Sequence, residues 1–470
     1  MNAVLVPQEY IENITYDELT IGQSARVVRT LTLSDIQIFA AVSGDVNPTH
    51  VDPGYALTTQ ANGVTAHAMW GGTLISSLLG TSFPGPGTVY VEQMLRFLQP
   101  LRVGDTLTVV ATVIAKEDAA KRVSLDCQVS NQSGATVLSG TAVVLAPVKK
   151  VRRPAVQVPH WSNFDPAARL EALLASVRHL VAVRCAVVHP CDAESLRGAL
   201  DAARHGLIIP ILIGPEVKIR GVAKAIGLDL AGVHIEPVEH SVAAAERAVE
   251  LALLGEADII MKGSLHTDEL MHAVIGSRAM RTARRLSHVF RFDVPMYDKP
   301  LLLSDAALNI HPTLEEKADI IQNAVTLAHA LGVKRPNVAI LAAVETVNVK
   351  MQSTLDAAAL CKMADRGQIK GANLDGPLAF DNAISMEAVR IKGIESTVAG
   401  NADILIVPDL ESGNMLAKQL EYLAGATTCG VVLGAKVPIA LTSRADSATA
   451  RVSSAALALL LAHHYRKAQP

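Results

Sequence analysis

Two rhythms of apolar and polar residues divide this chain. Val123, Leu125, Cys127 and Val129 alternate with Ser124, Asp126, Gln128 and Ser130, the period of two expected of a half-buried strand. A turn from Asn131 to Gly134 leads back into TVLSGTAVVLAP, which predicts an antiparallel meander. Beyond about residue 165 the rhythm changes. Short β-branched runs, CAVVHP, LIIPILIG, ADIIMKG, NVAILAAV, ADILIVPD and CGVVLGAK, are separated by alanine-rich helical stretches. Strands alternating with helices predict βαβ crossovers and a largely parallel sheet covered by helices on both faces. Ligands of such sheets sit beyond the carboxyl ends of the strands. The residues there are Lys262, Gly263 and Ser264; Glu345 and Thr346; Pro408 and Asp409; and Gly434, Ala435 and Lys436.

Between the two rhythms, Pro147, Lys149, Lys150, Arg152, Arg153, Pro154 and Pro159 break both periodicities and predict an exposed, semi-extended linker. The expected organisation is a first domain over 1–147, a linker over 148–160 and a second domain over 161–470, each with its own core. A length of 470 residues is too great for one ordinary core. Hydrophobic residues make up 50% but aromatics only 3%, so the cores must be built from Ala, Val, Leu and Ile, as in α/β proteins with buried parallel strands.

Charge and cysteine content narrow the function classes. A net charge of −3 with both signs dispersed offers no basic face for nucleic acid. Cys127, Cys185, Cys191, Cys361 and Cys429 form no C-x-x-C pair, so neither a disulfide framework nor a metal site is expected, and a reducing cytoplasm fits. The first residues, MNAVLVPQEYIENITYDE, lack the basic and apolar regions of a signal peptide, and no apolar run reaches the ~18 residues of a membrane span. AALALLLAHHY reads as a buried last helix. Without G-x-x-x-x-G-K-[ST] or G-x-G-x-x-G, ATP hydrolysis and dinucleotide chemistry have no foothold and no tightly bound cofactor is expected.

The candidate chemistry of the first domain lies in FAAVSGDVNPTHVDPGYA. Ser34 and Gln37 make a capping box for a short helix through Ile36, Ile38 and Phe39 that stops at Gly44. Asp45 and His50 then fall on the loop leaving that helix, with Asn47 and Pro48 between them. A loop held at both ends can aim a carboxylate and an imidazole at one water, as addition of water to an activated double bond requires.

The string S-G-D-x-N-P-x-H-x-D, followed by Ala66, His67, Ala68 and Met69 and an apolar run through Gly72, Leu74, Ile75 and Leu78 to Gly80, resembles the R-specific enoyl-CoA hydratases of the MaoC-like branch of the hotdog fold. The resemblance covers about residues 10 to 146. It implies an α+β hotdog domain with the apolar run as its buried central helix. It also implies that Asp45 and His50 share one water in a syn addition, hydroxide going to C3 and a proton to C2 of a trans-2-enoyl thioester. Asn47 and His67 would lie against the substrate, the N–H of Ala68 would serve the thioester oxygen, and Ser76 would stand near that oxygen. The family usually has glycine at the position of Ala68.

In the second domain ADIIMKGSLHT, LSDAALNIHPTLEEKADIIQNAV, AAVETVN, DGPLAFDNAIS, GNADILIVPDLESGN and VPIALTSRADS resemble, in order, the phosphate acetyl/butyryltransferases over about residues 165 to 466. The resemblance implies a phosphotransacetylase-like α/β domain that passes an acyl group between CoA and inorganic phosphate. Arg444 would clamp phosphate bidentately and Ser443 would donate to it. Ser264, His266 and Thr267 would offer N–H groups and hydroxyls at a helix N-terminus, with Lys262, Asn309, Asp381 and Lys436 around the substrate. Acetyl-branch enzymes carry an acid where this chain has Ala450, and many members carry an arginine where the match falls on or beside His272. Arg281 could supply that missing charge, although Arg278, Arg281 and Arg285 would also fit one solvated helix face. Together the halves look like a bifunctional hydratase/phosphate acyltransferase fusion that oligomerises with itself through both domains. The alternative is that one half is catalytic and the other an oligomerisation or acyl-CoA-sensing module.

Overall fold

The computed structural model describes residues 10–155, 164–443 and 446–467. Two compact units make up the chain, Met1–Asn163 and Phe164–Pro470.

In the first unit the strands are β1 (Tyr10–Glu12), β2 (Ser24–Thr30), β3 (Val89–Phe97), β4 (Thr106–Glu117), β5 (Arg122–Ser130), β6 (Thr136–Leu145) and β7 (Arg152–Pro154). Five of them form one antiparallel sheet in the order β2-β4-β5-β6-β3. The alternation seen in the sequence is the sheet's two faces: Val123, Leu125, Cys127 and Val129 are wholly buried. They pack with Leu74, Ile75, Leu78 and Leu79 of the helix Ala68–Thr81, each large side chain contributing about 1.5–3 kcal/mol on burial. This is a hotdog, a sheet wrapped on one long helix. The helix is buried on one side only, and Met69 on its other side is 53% exposed.

Within the stretch read as a linker, β7 pairs antiparallel with β1. The reason lies in Asn13, which is buried. Its amide donates to the carbonyls of Pro86 and Lys149, each at 2.9 Å, and its oxygen accepts from the Val151 N–H at 2.9 Å. A buried amide must satisfy these groups, and here doing so ties residues 149–154 to the first unit.

The second unit holds β8 (Val183–Val188), β9 (Ile208–Gly214), β10 (His234–Pro237), β11 (Ile259–Lys262), β12 (Ser287–Asp293), β13 (Leu301–Ser304), β14 (Asn337–Leu341), β15 (Asn373–Leu378), β16 (Ile404–Ile406), β17 (Thr427–Leu433) and β18 (Ile439–Ala440). They form one mixed, mostly parallel sheet in the order β10-β9-β8-β11-β18-β17-β12-β13-β16-β14-β15. The pairs β18-β17, β17-β12 and β12-β13 are antiparallel. Helices fill both faces, and the last, Ala448–Lys467, is buried along most of its length as its composition requires. Because the centre is antiparallel, the carboxyl ends of the two parallel flanks do not face one edge. Gly434 to Lys436, which follow β17, therefore leave at the edge where β11 begins, opposite Lys262.

Candidate functional site

Thr32 and Asp35, rather than Ser34 and Gln37, form the capping box of the helix Leu33–Ser43. Asp35 also takes a charge-assisted bond from Arg29 at 2.6 Å, which favours that frame over the neutral one. The helix ends at Gly44 in the left-handed region, φ +74°, a conformation that costs glycine nothing. Asp45 follows on the loop. His50 lies on the one-turn helix Pro48–Val51, which Asn47 caps by accepting from the Thr49 N–H at 3.1 Å. The Oδ1 of Asn47 thereby shapes the loop.

Two carbonyls fix the imidazoles. His50 Nδ1 donates to Thr65 O at 2.7 Å and His67 Nε2 donates to Asp45 O at 2.8 Å, since a carbonyl can only accept. In its neutral form His50 is thereby left with Nε2 as the acceptor, the state a general base needs. The two rings stack with centroids 4.1 Å apart, and Asp45, His50 and His67 bring ligand-type atoms within 4.8 Å of one another. His67 is only 2% exposed and its Nδ1 has no hydrogen-bond partner. It holds Asp45 by its backbone carbonyl.

Ala68 opens the helix Ala68–Thr81, so its N–H has no partner within that helix. A cavity of about 330 Å³ opens there, lined by His50, Ala68, Phe97, Leu98, Leu101 and Leu138 among others. Its walls suit an acyl chain, with His50 and the Ala68 N–H at one place. Ser76 is not there. It lies about 12 Å further along the helix and hydrogen-bonds Tyr90.

In the second unit, the expected residues fall into several groups. Lys262 closes β11 and is 1% exposed, its ammonium donating to Thr442 O at 3.3 Å. Gly263 follows because a Cβ there would lie 2.3 Å from Val188 O. Ser443 is joined to Asp446, whose carboxylate accepts from the Ser443 N–H at 2.7 Å. Burial raises the Asp446 carboxyl above its ordinary range, and Asp446 and Ala450 line one cavity of about 560 Å³. Arg444 lies outside the described residues.

The first anion loop is occupied by the chain itself. Ser264 Oγ donates to His189 O at 2.7 Å while accepting from His189 Nδ1 at 3.0 Å and the Cys191 N–H at 3.3 Å. That hydroxyl has no hydrogen left for phosphate. At the start of the helix Thr267–Gly276, Glu269 takes the His266 N–H at 3.2 Å and also the hydroxyl of Ser241. These bonds, the serine's first, hold the Glu269 carboxyl below its usual range. A carboxylate thus sits where a helix N-terminus would bind an anion.

Positive charge gathers nearby instead. A cleft of about 440 Å³ runs along one face of this helix, past Thr267 and His272, and is closed by Arg281, Arg284, Arg285 and Asn309. The arginines are not on a helix: Arg278–Met280 is a single 3-10 turn and Arg281 bridges to Ala435, which places Lys436 next to that bridge. Arg281 Nε donates to the carbonyl of Ile275 at 2.9 Å, closing the helix C-terminus where a cation is favoured. Arg285, which sequence reasoning treated only as part of a solvated face, donates to Asn309 Oδ1 at 2.8 Å and pairs with Glu316 at 3.2 Å. Asn309 is buried and also donates to Leu286 O at 2.8 Å and to Asp305 Oδ2 at 2.5 Å, so it orients Arg285. Asp381 belongs to another cluster, with Lys392 at 3.1 Å and Glu345 beyond it. The Lys392 ammonium holds the Asp381 carboxyl below its usual range.

Comparison with known proteins places both units. The family model described as Phosphate acetyl/butaryl transferase matches residues 237–459, and the one described as MaoC like domain matches residues 18–134. A phosphate acetyltransferase of Rhizobium meliloti is 57% identical over 303 residues, 64% of this chain and 96% of that protein. A crystal structure of a branched-chain phosphotransacylase from Enterococcus faecalis V583 is 31% identical, covering 60% of this chain and 99% of that one with a TM-score of 0.53. An R-hydratase structure from Pseudomonas aeruginosa is 42% identical, covering 33% of this chain and 99% of that one with a TM-score of 0.32. With near-complete coverage of a relative at that identity, the chain belongs to the phosphate acetyl/butyryltransferase family and carries a MaoC-like domain ahead of the family's own.

Proposed function

We propose that this chain is a bifunctional acyl-CoA enzyme. Its first unit adds water to trans-2-enoyl-CoA to give (R)-3-hydroxyacyl-CoA, and its second exchanges CoA for inorganic phosphate on an acyl thioester to give acyl phosphate. The observation that carries this reading is the union, in one chain, of an acid–imidazole pair in a MaoC-like domain with a unit that aligns over 96% of a phosphate acetyltransferase.

In the hydration, a water held between Asp45 and His50 adds its oxygen to C3. One of its protons passes to C2 on the same face, and the Ala68 N–H stabilises charge on the thioester oxygen. In the transfer, a phosphate oxygen attacks the thioester carbonyl, the C–S bond breaks, and the departing sulfur takes a proton. Arg444 and Ser443 hold the phosphate. Arg281, Arg284 and Arg285 favour anionic groups in the cleft beside them.

CoA thioesters and phosphate are the substrates, with no tightly bound cofactor, metal or nucleic acid. The proposed boundaries are a hydratase domain over 1–147, a linker over 148–160 whose residues 149–154 are tied to the hydratase domain, and a transferase domain over 161–470. Joining the two raises the effective concentration of a thioester released by one site near the other. The enzyme is a cytoplasmic homo-oligomer that assembles through both domains. Supporting this, Val89, Val91, Met94 and Phe97 are exposed on the edge strand β3, and no helix among the described residues is long and apolar enough to cross a membrane.

The test is a panel of C2 to C8 acyl-CoAs with phosphate, beside the matching enoyl-CoAs with water. Phosphate-dependent CoA release and loss of the enoyl absorbance are both expected. Absence of either across the panel removes that activity from the account.

A further inference from the structure

Arg451 lies in the first turn of the helix Ala448–Lys467 and is 1% exposed. A guanidinium keeps its charge, and a buried charge needs compensation. The hydrogen bonds of Arg451 among the described residues all go to uncharged oxygens: Lys262 O at 3.2 Å, Thr442 Oγ1 at 2.8 Å and Ser443 O at 3.1 Å. Its Nε is buried with no partner. Asp192, Asp446 and Glu194 act on it only through space.

These contacts converge on one junction. Lys262 ends β11, and Thr442 and Ser443 follow β18, its parallel neighbour. The buried ammonium of Lys262 reaches Thr442 O from its own side, so both side chains brace the segment that leads to Ser443. The fold also makes room for the arginine stem. A Cβ on Gly198 would lie 2.7 Å from both Cβ and Cδ of Arg451.

Resting on the phosphate-transfer reading above, we propose that Arg451 is a positioning residue of the phosphate site. It fixes the backbone of Ser443 and places a buried positive charge beside a phosphate dianion bound at Ser443. Its effect is on phosphate, not on the acyl-CoA.

The experiment measures phosphate-dependent CoA release from butyryl-CoA by the full chain, varying each substrate in turn, for Arg451→Met, Arg451→Lys and Gly198→Ala. Arg451→Met should raise the KM for phosphate at least about tenfold and leave that for butyryl-CoA within about twofold. Arg451→Lys keeps the charge without the fork and should fall between. Gly198→Ala displaces the stem without changing charge and should raise the phosphate KM severalfold, so the proposal stays testable where Arg451→Met is insoluble. Enoyl-CoA hydration by the same preparations reports that the chain is intact. An unchanged phosphate KM in Arg451→Lys and Gly198→Ala, or an equal rise in both KM values, overturns the proposal. No phosphate-dependent release by the unaltered chain overturns the transfer reading and the proposal with it.

Discussion

The Nε2–H of His67 donates to the carbonyl of Asp45 at 2.8 Å, tying the acid to the residue immediately before Ala68. One bond thus sets the distance between the acid and the helix N-terminus. Replacing His67 with leucine should lower the kcat of hydration by about 10- to 100-fold through misplacement, with a smaller change in KM. Steady-state hydration of a short trans-2-enoyl-CoA checks this, and a normal kcat would show that Asp45 is held by other means.

Asp45 and His50 are expected to act as one unit. Each single alanine substitution should cost roughly 10²–10⁴ in kcat, and the double substitution little more than the worse single one. Losses that multiply would mean that the two groups act independently.

Much of this was legible in the sequence, and what was not has identifiable physical causes. The β-branched runs found β8, β9, β11, β14, β16 and β17, because strands buried on both faces are written in such residues whatever their direction. They missed β12, whose sequence SHVFRFD carries a buried serine, histidine, arginine and aspartate, and β15, which contains Gly376 and Pro377. Strand direction is not encoded in periodicity, so the antiparallel centre could not be foreseen. The acid–histidine pair was readable because its members lie five residues apart. The role of Ser264 was not, since its partner His189 is 75 residues away. Likewise Thr32 and Ser34 open overlapping capping boxes, and the one that forms is the one whose acid, Asp35, also bonds Arg29 from a neighbouring strand.

The N-terminal unit should tolerate a cut after residue 155 better than one after residue 150. The shorter piece loses β7 and leaves Asn13 Oδ1 without the Val151 N–H, a buried acceptor costing about 1–3 kcal/mol when unpaired. Thermal unfolding of pieces 1–150 and 1–155 would measure this, and equal melting temperatures would show that β7 adds nothing.

Asp446 predicts a pH dependence of stability. Burial comes first among the causes that raise its folded pKa, and Glu421 adds to it, while the Ser443 N–H, then Lys418 and Arg451, oppose it. A carboxyl whose folded pKa is raised binds its proton more tightly in the folded state. Its contribution is therefore most favourable below the unfolded value of about 4 and is lost as pH rises through the folded value. Relative to Asp446→Asn, the unaltered chain should lose stability as pH rises across that window. Melting temperatures of both proteins between pH 4 and 8 check the sign, and a constant difference would contradict it.

The central claim, two separate acyl-CoA chemistries in one chain, is tested most directly by crossing two substitutions with two assays. Asp45→Ala and Arg444→Lys would each be measured for hydration of a trans-2-enoyl-CoA and for phosphate-dependent release of CoA from butyryl-CoA. The account predicts that Asp45→Ala loses hydration by at least about 10² and keeps transfer. Arg444→Lys, which keeps the charge but loses the bidentate fork, should fall well below the unaltered chain in transfer and keep hydration. Either substitution abolishing both reactions in a folded protein, or leaving its own reaction untouched, would contradict it.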